Sequence, residues 1–273
     1  MSATFGPGFH APTGQAFDAL AYDRWVGRWS RAFVPAVLAA SNIKRGYRVL
    51  DVSTGTGEAA MAIRPVVGPA GLVVGADISP AMLDAARQRL NDPSFWPVAA
   101  DGQSLPFKGE IFNAVVCQLG LQFFPDPQIG LTEFRRVLRK DGYAAVCVIS
   151  TPDRAPVWGI LADVLSGHTP EQRHVIQLSF ALADPRRLVD LLSRAGFHDI
   201  RVERRRHKDA FDSFEDYWSP IEAGTGSIPQ AYRALSETDR SAVREEVRAR
   251  LLQFESAGRL VMSVEMLIGS GRA

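Results

Sequence analysis

Short, nearly continuous apolar runs alternate through the first half of this chain with stretches whose apolar residues recur every three to four positions. The runs Arg48 to Val52, Leu72 to Ala76, Trp96 to Ala99, Ala114 to Cys117 and Ala144 to Ile149 predict strands. Having little polar alternation, they suit a parallel sheet buried on both faces. The intervening helices carry their own start signals. Ser79 predicts an N-cap with Pro80 in the first turn, and Met82, Leu83, Ala86 and Leu90 follow on one face. Pro127 opens a second helix, with Leu131, Phe134, Val137 and Leu138 directed inward before an Asp141–Gly142 turn. Strand–helix alternation of this kind predicts a doubly wound α/β fold.

The flanks are less regular. Met1 to Thr13 has Gly and Pro but no period, which predicts a loose tail. From Phe17 to Ala40, apolar residues return at helical spacing (Leu20, Ala21 and Trp25, then Phe33, Val37 and Leu38), with a break near Gly27. Farther on, Leu188 to Ala195 predicts a helix stopped by Gly196, Ile200 to Arg204 a strand, and Leu260 to Ile268 a last strand. Lys208 to Gly258 is too long for a plain connection and should have structure of its own. Within it, Ser236 predicts the cap of a helix whose Val243, Val247 and Leu251 form an apolar stripe. The expected organisation is an N-terminal tail with cap helices over 1–45 and one main domain over 46–273. Cap insertions are expected at about 150–183 and 208–258 of that domain.

Charge narrows the class of partner. Lys and Arg number 31 against 30 Asp and Glu, so the net charge of +1 offers no general attraction to nucleic acid or to an anionic membrane. No run of 18 apolar residues is present and Met1 to Gln15 lacks a signal-peptide pattern, so a cytoplasmic protein without a membrane span is expected. Cys117 and Cys147 both fall in apolar runs, which predicts reduced core thiols and neither a disulfide nor a metal pair.

The chemistry concentrates in Val49 to Ala60, VLDVSTGTGEAA: an apolar strand ending in Asp51, a turn of small residues, then a helix start. Glycine in such a turn accepts φ > 0 and lets a ligand approach the backbone, while the helix N-terminus favours an anionic group. Gly55-x-Gly57-x-x-Ala60, with Asp77 20 positions after Gly57, fits a dinucleotide fingerprint. Asp51 argues otherwise, because its charge before the turn would repel a pyrophosphate and attract an ammonium. Asp77 ends the second strand, placed for a ribose diol, and Asp101 follows the third, placed for an exocyclic amine. Three strand-end acids suit a ligand with an amino acid end, a ribose and an adenine, as in S-adenosylmethionine.

The segments VLDVSTGTG, VVGADISPAML, ADGQSLPF, FNAVVCQLGLQFFPD and FRRVLRKDG resemble, in order, the motifs of class I S-adenosylmethionine-dependent methyltransferases. FDALAYDRW is similar to the opening helix of the group that includes the ubiquinone and menaquinone biosynthesis C-methyltransferases. The resemblance runs from Phe17 to about Ile149 and is weak beyond Ser150. It implies a Rossmann-like, mostly parallel seven-stranded sheet with an antiparallel last strand and a helical cap. It further implies that Asp51 and the Ser53, Thr54, Gly55 and Gly57 turn hold the methionine end of the donor. Asp77 would hold the ribose, Ile78 and Met82 would flank the adenine, and Asp101 with the Gly102 and Gln103 backbone would bind the adenine amine. Gln118 would lie near the methyl group. The chain departs from the pattern at Ser53, where the family usually has glycine.

Other residues admit two readings each. Tyr22 and Trp29 suit either an aromatic cover over a sulfonium or plain helix packing, and Phe123–Phe124 either a pocket wall or core. Among His10, His168, His174, His198 and His207, His168 and His174 lie where substrate caps attach in this family, making them candidate general bases against a bland reading as exposed loop residues. Arg204 to Lys208 reads as a solvated strand end or an anion-binding run. Phe211, Phe214, Tyr217 and Trp218 form either a substrate pocket or a small satellite core. The expected activity is in-line methyl transfer to the O, N, C or S atom of a small-molecule acceptor. The competing activities are RNA or protein methylation, NAD(P)-dependent oxidoreduction, and cofactor binding without methyl transfer.

Overall fold

A computed structural model describes residues 19–224 and 226–273. The expected tail over Met1 to Thr13, His10 and the Phe17 start of the first helical pattern lie outside the described residues. The chain begins with α1 (Ala19–Tyr22), a π-helical turn (Asp23–Gly27) and α2 (Arg28–Ala40). Then come β1 (Arg48–Val52), α3 (Glu58–Val67), β2 (Leu72–Asp77), α4 (Pro80–Leu90), β3 (Phe95–Ala99) and β4 (Phe112–Gln118). After a short 3-10 turn (Leu121–Phe123) follow α5 (Pro127–Val137) and β5 (Leu138–Ile149). The second half holds α6 (Pro156–His168), α7 (Arg173–Gln177), α8 (Pro185–Arg194), β6 (His198–Phe211), α9 (Phe214–Glu222), α10 (Ser227–Arg233) and α11 (Glu237–Leu251). It ends with β7 (Glu255–Ser256) and β8 (Arg259–Arg272).

The strands form one sheet in the order β3-β2-β1-β4-β5-β8-β6, with the two-residue β7 folded onto β8. The first five are parallel, and β8 lies antiparallel between β5 and β6. This is the Rossmann-like arrangement with an antiparallel late strand that the motifs implied. Alternate strand residues feed two cores. Val49, Ala114, Val116 and Cys147 pack toward α2 and α3, while Leu50, Val52, Val115 and Val146 pack toward α5 and α8. Each central strand is therefore buried on both faces, which is why it reads as an unbroken apolar run. The topology reverses at β1, which pairs with β2 on one side and β4 on the other. In such sheets a crevice opens beyond the carboxyl ends of the strands at that point.

The predicted caps hold. Ser79 Oγ accepts from Met82 N at 3.4 Å, and Ser236 Oγ accepts from Asp239 N at 3.1 Å ahead of buried Val243, Val247 and Leu251. Several boundaries differ from expectation, and β8 itself runs past Ile268 to Arg272. Leu138 is the first residue of β5, paired with Phe112, and the chain bends within that strand where Asp141 takes φ +67°. β6 runs well past Arg204, with Lys208 to Phe211 paired to Ser263 through Leu260. This strand lies at the sheet edge, where its polar side chains meet solvent while β8 satisfies its backbone, so no apolar run announces it. Within the charged run, Arg204 and Arg206 turn to the buried carboxylate of Glu265, at 3.3 and 2.9 Å. Phe211, Tyr217 and Trp218 belong to the main core, with the Tyr217 hydroxyl donating to Val157 O at 3.0 Å. Cys117 and Cys147 are buried free thiols. Among the described residues no helix is long and apolar enough to cross a membrane, and no group of His, Cys, Asp and Glu is arranged to hold a metal.

Candidate active site

A cleft opens at the carboxyl ends of β1, β2 and β4. Ser53 and Gly55 line it from the turn after β1, Asp77, Ile78, Ser79 and Met82 from the β2–α4 junction, and Ala100 and Gly102 from the loop after β3. Gln118, Gly120, Gln122, Phe123 and Phe124 follow from β4 and the 3-10 turn beyond it. Tyr22, Trp25 and Val26 close one side, Ile149 and Trp158 another, and Ile228 and Pro229 of α10 a third. A deeper recess beside Asp51, Thr54 and Glu58 shares Tyr22, Ser53 and Gln118 with the main cleft.

The turn after β1 is built on left-handed backbone: φ is +57° at Ser53, +54° at Gly55 and +88° at Gly57. At Gly57 a Cβ would lie 2.6 Å from Leu90 Cδ1, so this glycine lets α3 seat against α4 and does not line the cleft. Asp51 Oδ2 accepts from Thr54 Oγ1 at 2.7 Å and from Ala60 N at 3.1 Å, while its Oδ1 is buried without a partner among the described residues. Burial raises its pKa to about 7, against the opposing pull of those two hydrogen bonds, and the charge of Asp77 adds to the rise. Cys117, close behind, has its thiol pushed up to about 12 by burial first and by Asp51 second.

Asp77 accepts from Gly55 N at 2.8 Å and from Ser79 N at 2.9 Å, which fixes the carboxylate at the rim of the turn. Burial nevertheless holds its pKa above the ordinary value. Gln118 donates through Nε2 to Ser30 O at 2.6 Å and leaves Oε1 buried without a partner among the described residues. Its amide is thus oriented by α2. Tyr22 lies over the turn, its hydroxyl 3.6 Å from where a Cβ on Gly55 would sit. Burial raises the Tyr22 pKa, and the charges of Asp77 and Glu58 add to the effect. Glu58, 7% exposed at the start of α3, takes Arg31 of α2 at 3.0 Å and Arg89 of α4 at 2.8 Å and so ties the three helices together.

The structure gathers most of the residues read from the motifs and leaves some outside. Tyr22, Ser53, Gly55, Asp77, Ile78, Met82, Gly102 and Gln118 line the cleft, and Asp51 and Thr54 line its recess. Asp101 is turned into its own loop, where Oδ1 accepts from Gln103 N at 2.8 Å, and Gln103 Oε1 accepts from Asp126 N at 2.8 Å. Neither reaches the wall, because each side chain is used to shape the loop. Trp29 is a core residue, 5.9 Å from the Trp158 ring. Phe124 does line the cleft and packs where a Cβ on Gly102 would lie only 2.3 Å from its ring. His168 is exposed at the end of α6 beside Glu246, 3.3 Å away, and His174 is exposed on α7. Both lie away from the cleft walls. The residues that sequence reasoning missed are Trp25, Gln122, Trp158, Ile228 and Pro229. Trp25 follows Tyr22 by one helical turn, and Gln122 is the one polar residue in LGLQFF; the others carry no local signal.

Residues 50–146 match a methyltransferase domain family. Demethylmenaquinone methyltransferase of Staphylococcus carnosus is 31% identical over 180 residues, covering 61% of this chain and 74% of that protein. The ubiquinone/menaquinone biosynthesis C-methyltransferase UbiE of Coxiella burnetii is 28% identical over 189 residues, covering 64% and 74%. The fold is similar to that of Haemonchus contortus phosphoethanolamine N-methyltransferase 2, solved with phosphomonomethylethanolamine and S-adenosylhomocysteine. That likeness has a TM-score of 0.57 at 16% identity over 92% of this chain and 56% of the other. With the ordered motifs, the strand order and the strand-end acids in place, the chain belongs to the class I methyltransferases, enzymes that take their methyl group from S-adenosylmethionine.

Proposed function

We propose that this enzyme methylates a small molecule with a planar, largely apolar body, bound beneath the cap formed by α10, α6 and the helices around Trp25. The observation that carries this reading is the composition of the lining: Trp25, Trp158, Phe123, Ile149, Ile228 and Pro229 give the cleft that holds Asp77 a largely apolar and aromatic wall. A flat ring gains burial and edge or face contacts there. RNA would call for a basic, open surface, and the even charge balance does not supply one. The names of the two similar enzymes, which refer to quinone biosynthesis, support the same class of acceptor. The two free core thiols support a cytoplasmic setting.

Other residues of the cleft and its recess fit the methyl donor. Asp51 has a buried oxygen without a partner among the described residues, suited to an ammonium, and Ser53 to Thr56 supply a close-approach backbone. Asp77 would take the ribose hydroxyls, with Ile78 and Met82 against the adenine and Gly102 beneath it. Asp101 and Gln103 would serve by shaping that loop. Tyr22 and Gln118 would cover the methionine end. When bound, the donor supplies a methyl on a sulfonium, and attack by the acceptor breaks the carbon–sulfur bond and leaves its electron pair on sulfur. The chain's part is alignment and exclusion of water, which supply most of the rate when both reactants are held. Among the described residues no histidine lines the cleft.

Thermal-shift titration with S-adenosylmethionine, S-adenosylhomocysteine and NAD, followed by labelled-methyl transfer to a metabolite panel, tests this reading. Stabilisation by the first two and label in small ring compounds is the expected result. Label found only in RNA or protein would overturn it.

A further inference from the structure

Gln122 stands out on the cleft wall. It is 2% exposed, it lies in the 3-10 turn after β4, and neither Nε2 nor Oε1 has a hydrogen-bond partner among the described residues. An amide buried with both ends unpaired is costly, because each group gives up water without replacement. Gln118 makes the contrast. Its Nε2 is spent on Ser30 O, so only its oxygen is open and its orientation is set by α2. Among the described residues nothing comparable satisfies the amide of Gln122.

A free carboxamide presents one donor and one acceptor side by side in a plane. Its natural complement is a flat group with an acceptor and a donor on neighbouring atoms, the geometry by which glutamine reads a base edge bidentately. On an apolar ring that complement is a vicinal oxygen pair, one oxygen carrying a hydrogen: a catechol or an ortho-hydroxycarbonyl. Trp25, Trp158, Phe123 and Ile228 supply the apolar walls for such a ring. We infer that Gln122 is a specificity residue of the acceptor subsite, and that it selects planar acceptors bearing a vicinal oxygen pair. The inference rests on the small-molecule reading above and narrows it. The selectivity follows from the cost of the unpaired amide: a ring with one oxygen leaves one end of Gln122 unsatisfied, and a ring with none leaves both.

The test is calorimetric titration of 2,3-dihydroxynaphthalene and 2-naphthol into the protein saturated with S-adenosylhomocysteine, for the wild type and for Gln122→Leu. The wild type is expected to bind the diol about tenfold or more tightly than the mono-ol. Gln122→Leu should erase that preference while leaving S-adenosylhomocysteine affinity unchanged, which also shows that the variant is folded. Equal affinity for the two rings in the wild type, or binding of neither, overturns the inference without any variant. So does a preference that survives Gln122→Leu. Loss of S-adenosylhomocysteine affinity in a folded Gln122→Leu protein would place the amide on the donor and overturn it as well. Methyl transfer to other small rings with no diol preference would sink the inference and leave the small-molecule reading standing; label confined to macromolecules would sink that reading.

Discussion

The side chain of Ser53 occupies the space that Gly120 leaves empty. A Cβ on Gly120 would fall 2.4 Å from both Ser53 Cβ and Ser53 Oγ, and 3.1 Å from Cys117 Sγ. Ser53 adopts φ +57°, the backbone that glycine adopts at least cost. The serine is accommodated because the opposing strand end has no side chain. Gly120→Ala should therefore cost about 1–3 kcal/mol through overpacking. Ser53→Gly in the same chain should recover most of that loss, since it removes both shortest contacts. A double-mutant cycle by thermal unfolding measures the coupling; strict additivity would show that the two positions do not meet.

Asp51 carries opposite consequences for stability and for binding. Its folded pKa of about 7 lies above the ordinary value of 3.8, so its contribution to stability is fully present below the lower value. It is lost as pH rises through the upper one. Asp51→Asn keeps an oxygen for Thr54 Oγ1 and Ala60 N and removes the buried charge. The variant should melt higher than wild type at pH 8, by on the order of 5 °C, with the gap narrowing by pH 5. Its affinity for S-adenosylmethionine should fall at both pH values, and wild-type affinity should itself weaken as pH drops below 7 and the carboxylate takes up a proton. Flat pH profiles for both proteins would remove Asp51 from this role.

Glu265 has the reverse sign. It is 1% exposed, and although burial alone would raise its pKa, Arg206, Ser150 and Arg154 together hold it below the ordinary value. Stability from this group is present above the unfolded pKa and fades as pH falls through the folded one. Glu265→Gln should lower the melting temperature at pH 7, because three arginines lose their shared partner on β8, and the deficit should shrink toward pH 3. A deficit independent of pH would point to packing alone.

Asp77→Ala removes the acceptor for Gly55 N and Ser79 N along with the proposed ribose contact. Affinity for S-adenosylhomocysteine should fall about tenfold or more, as expected when charge-assisted hydrogen bonds of about 1.5–3 kcal/mol are lost. Asp101→Ala should do less, since that carboxylate caps its own loop at Gln103 N. Calorimetry on the two variants ranks them, and an Asp77→Ala protein with native affinity would contradict the assignment.

His168 and His174 make a sharper negative test. Both are exposed and away from the cleft walls. His168→Ala and His174→Ala should each leave kcat/KM within about twofold of wild type, in keeping with surface changes remote from a site. A large drop for either would mean that a proton path reaches α6 or α7.

The legible parts of this protein are those written in local periods and caps. Central strands show as apolar runs because both their faces are buried. Ser79 and Ser236 announce α4 and α11 because their hydroxyls serve amides three residues on, and the turn after β1 declares itself by residues that tolerate left-handed backbone. Those features, with an acid at the end of each early strand, determined the fold class and the methyl donor. Tertiary structure decided what depends on residues far apart in the chain. The extent of β6 was set by backbone pairing to β8, which side-chain polarity does not record. Asp101 is not on the cleft wall; its Oδ1 accepts from Gln103 N within its own loop. The acceptor wall joins Trp25, Gln122, Trp158 and Ile228, four positions from four separate segments whose meeting no local pattern encodes. Donor recognition was readable because one continuous βαβ unit builds most of it; acceptor recognition was not, because it exists only where distant helices close over the sheet.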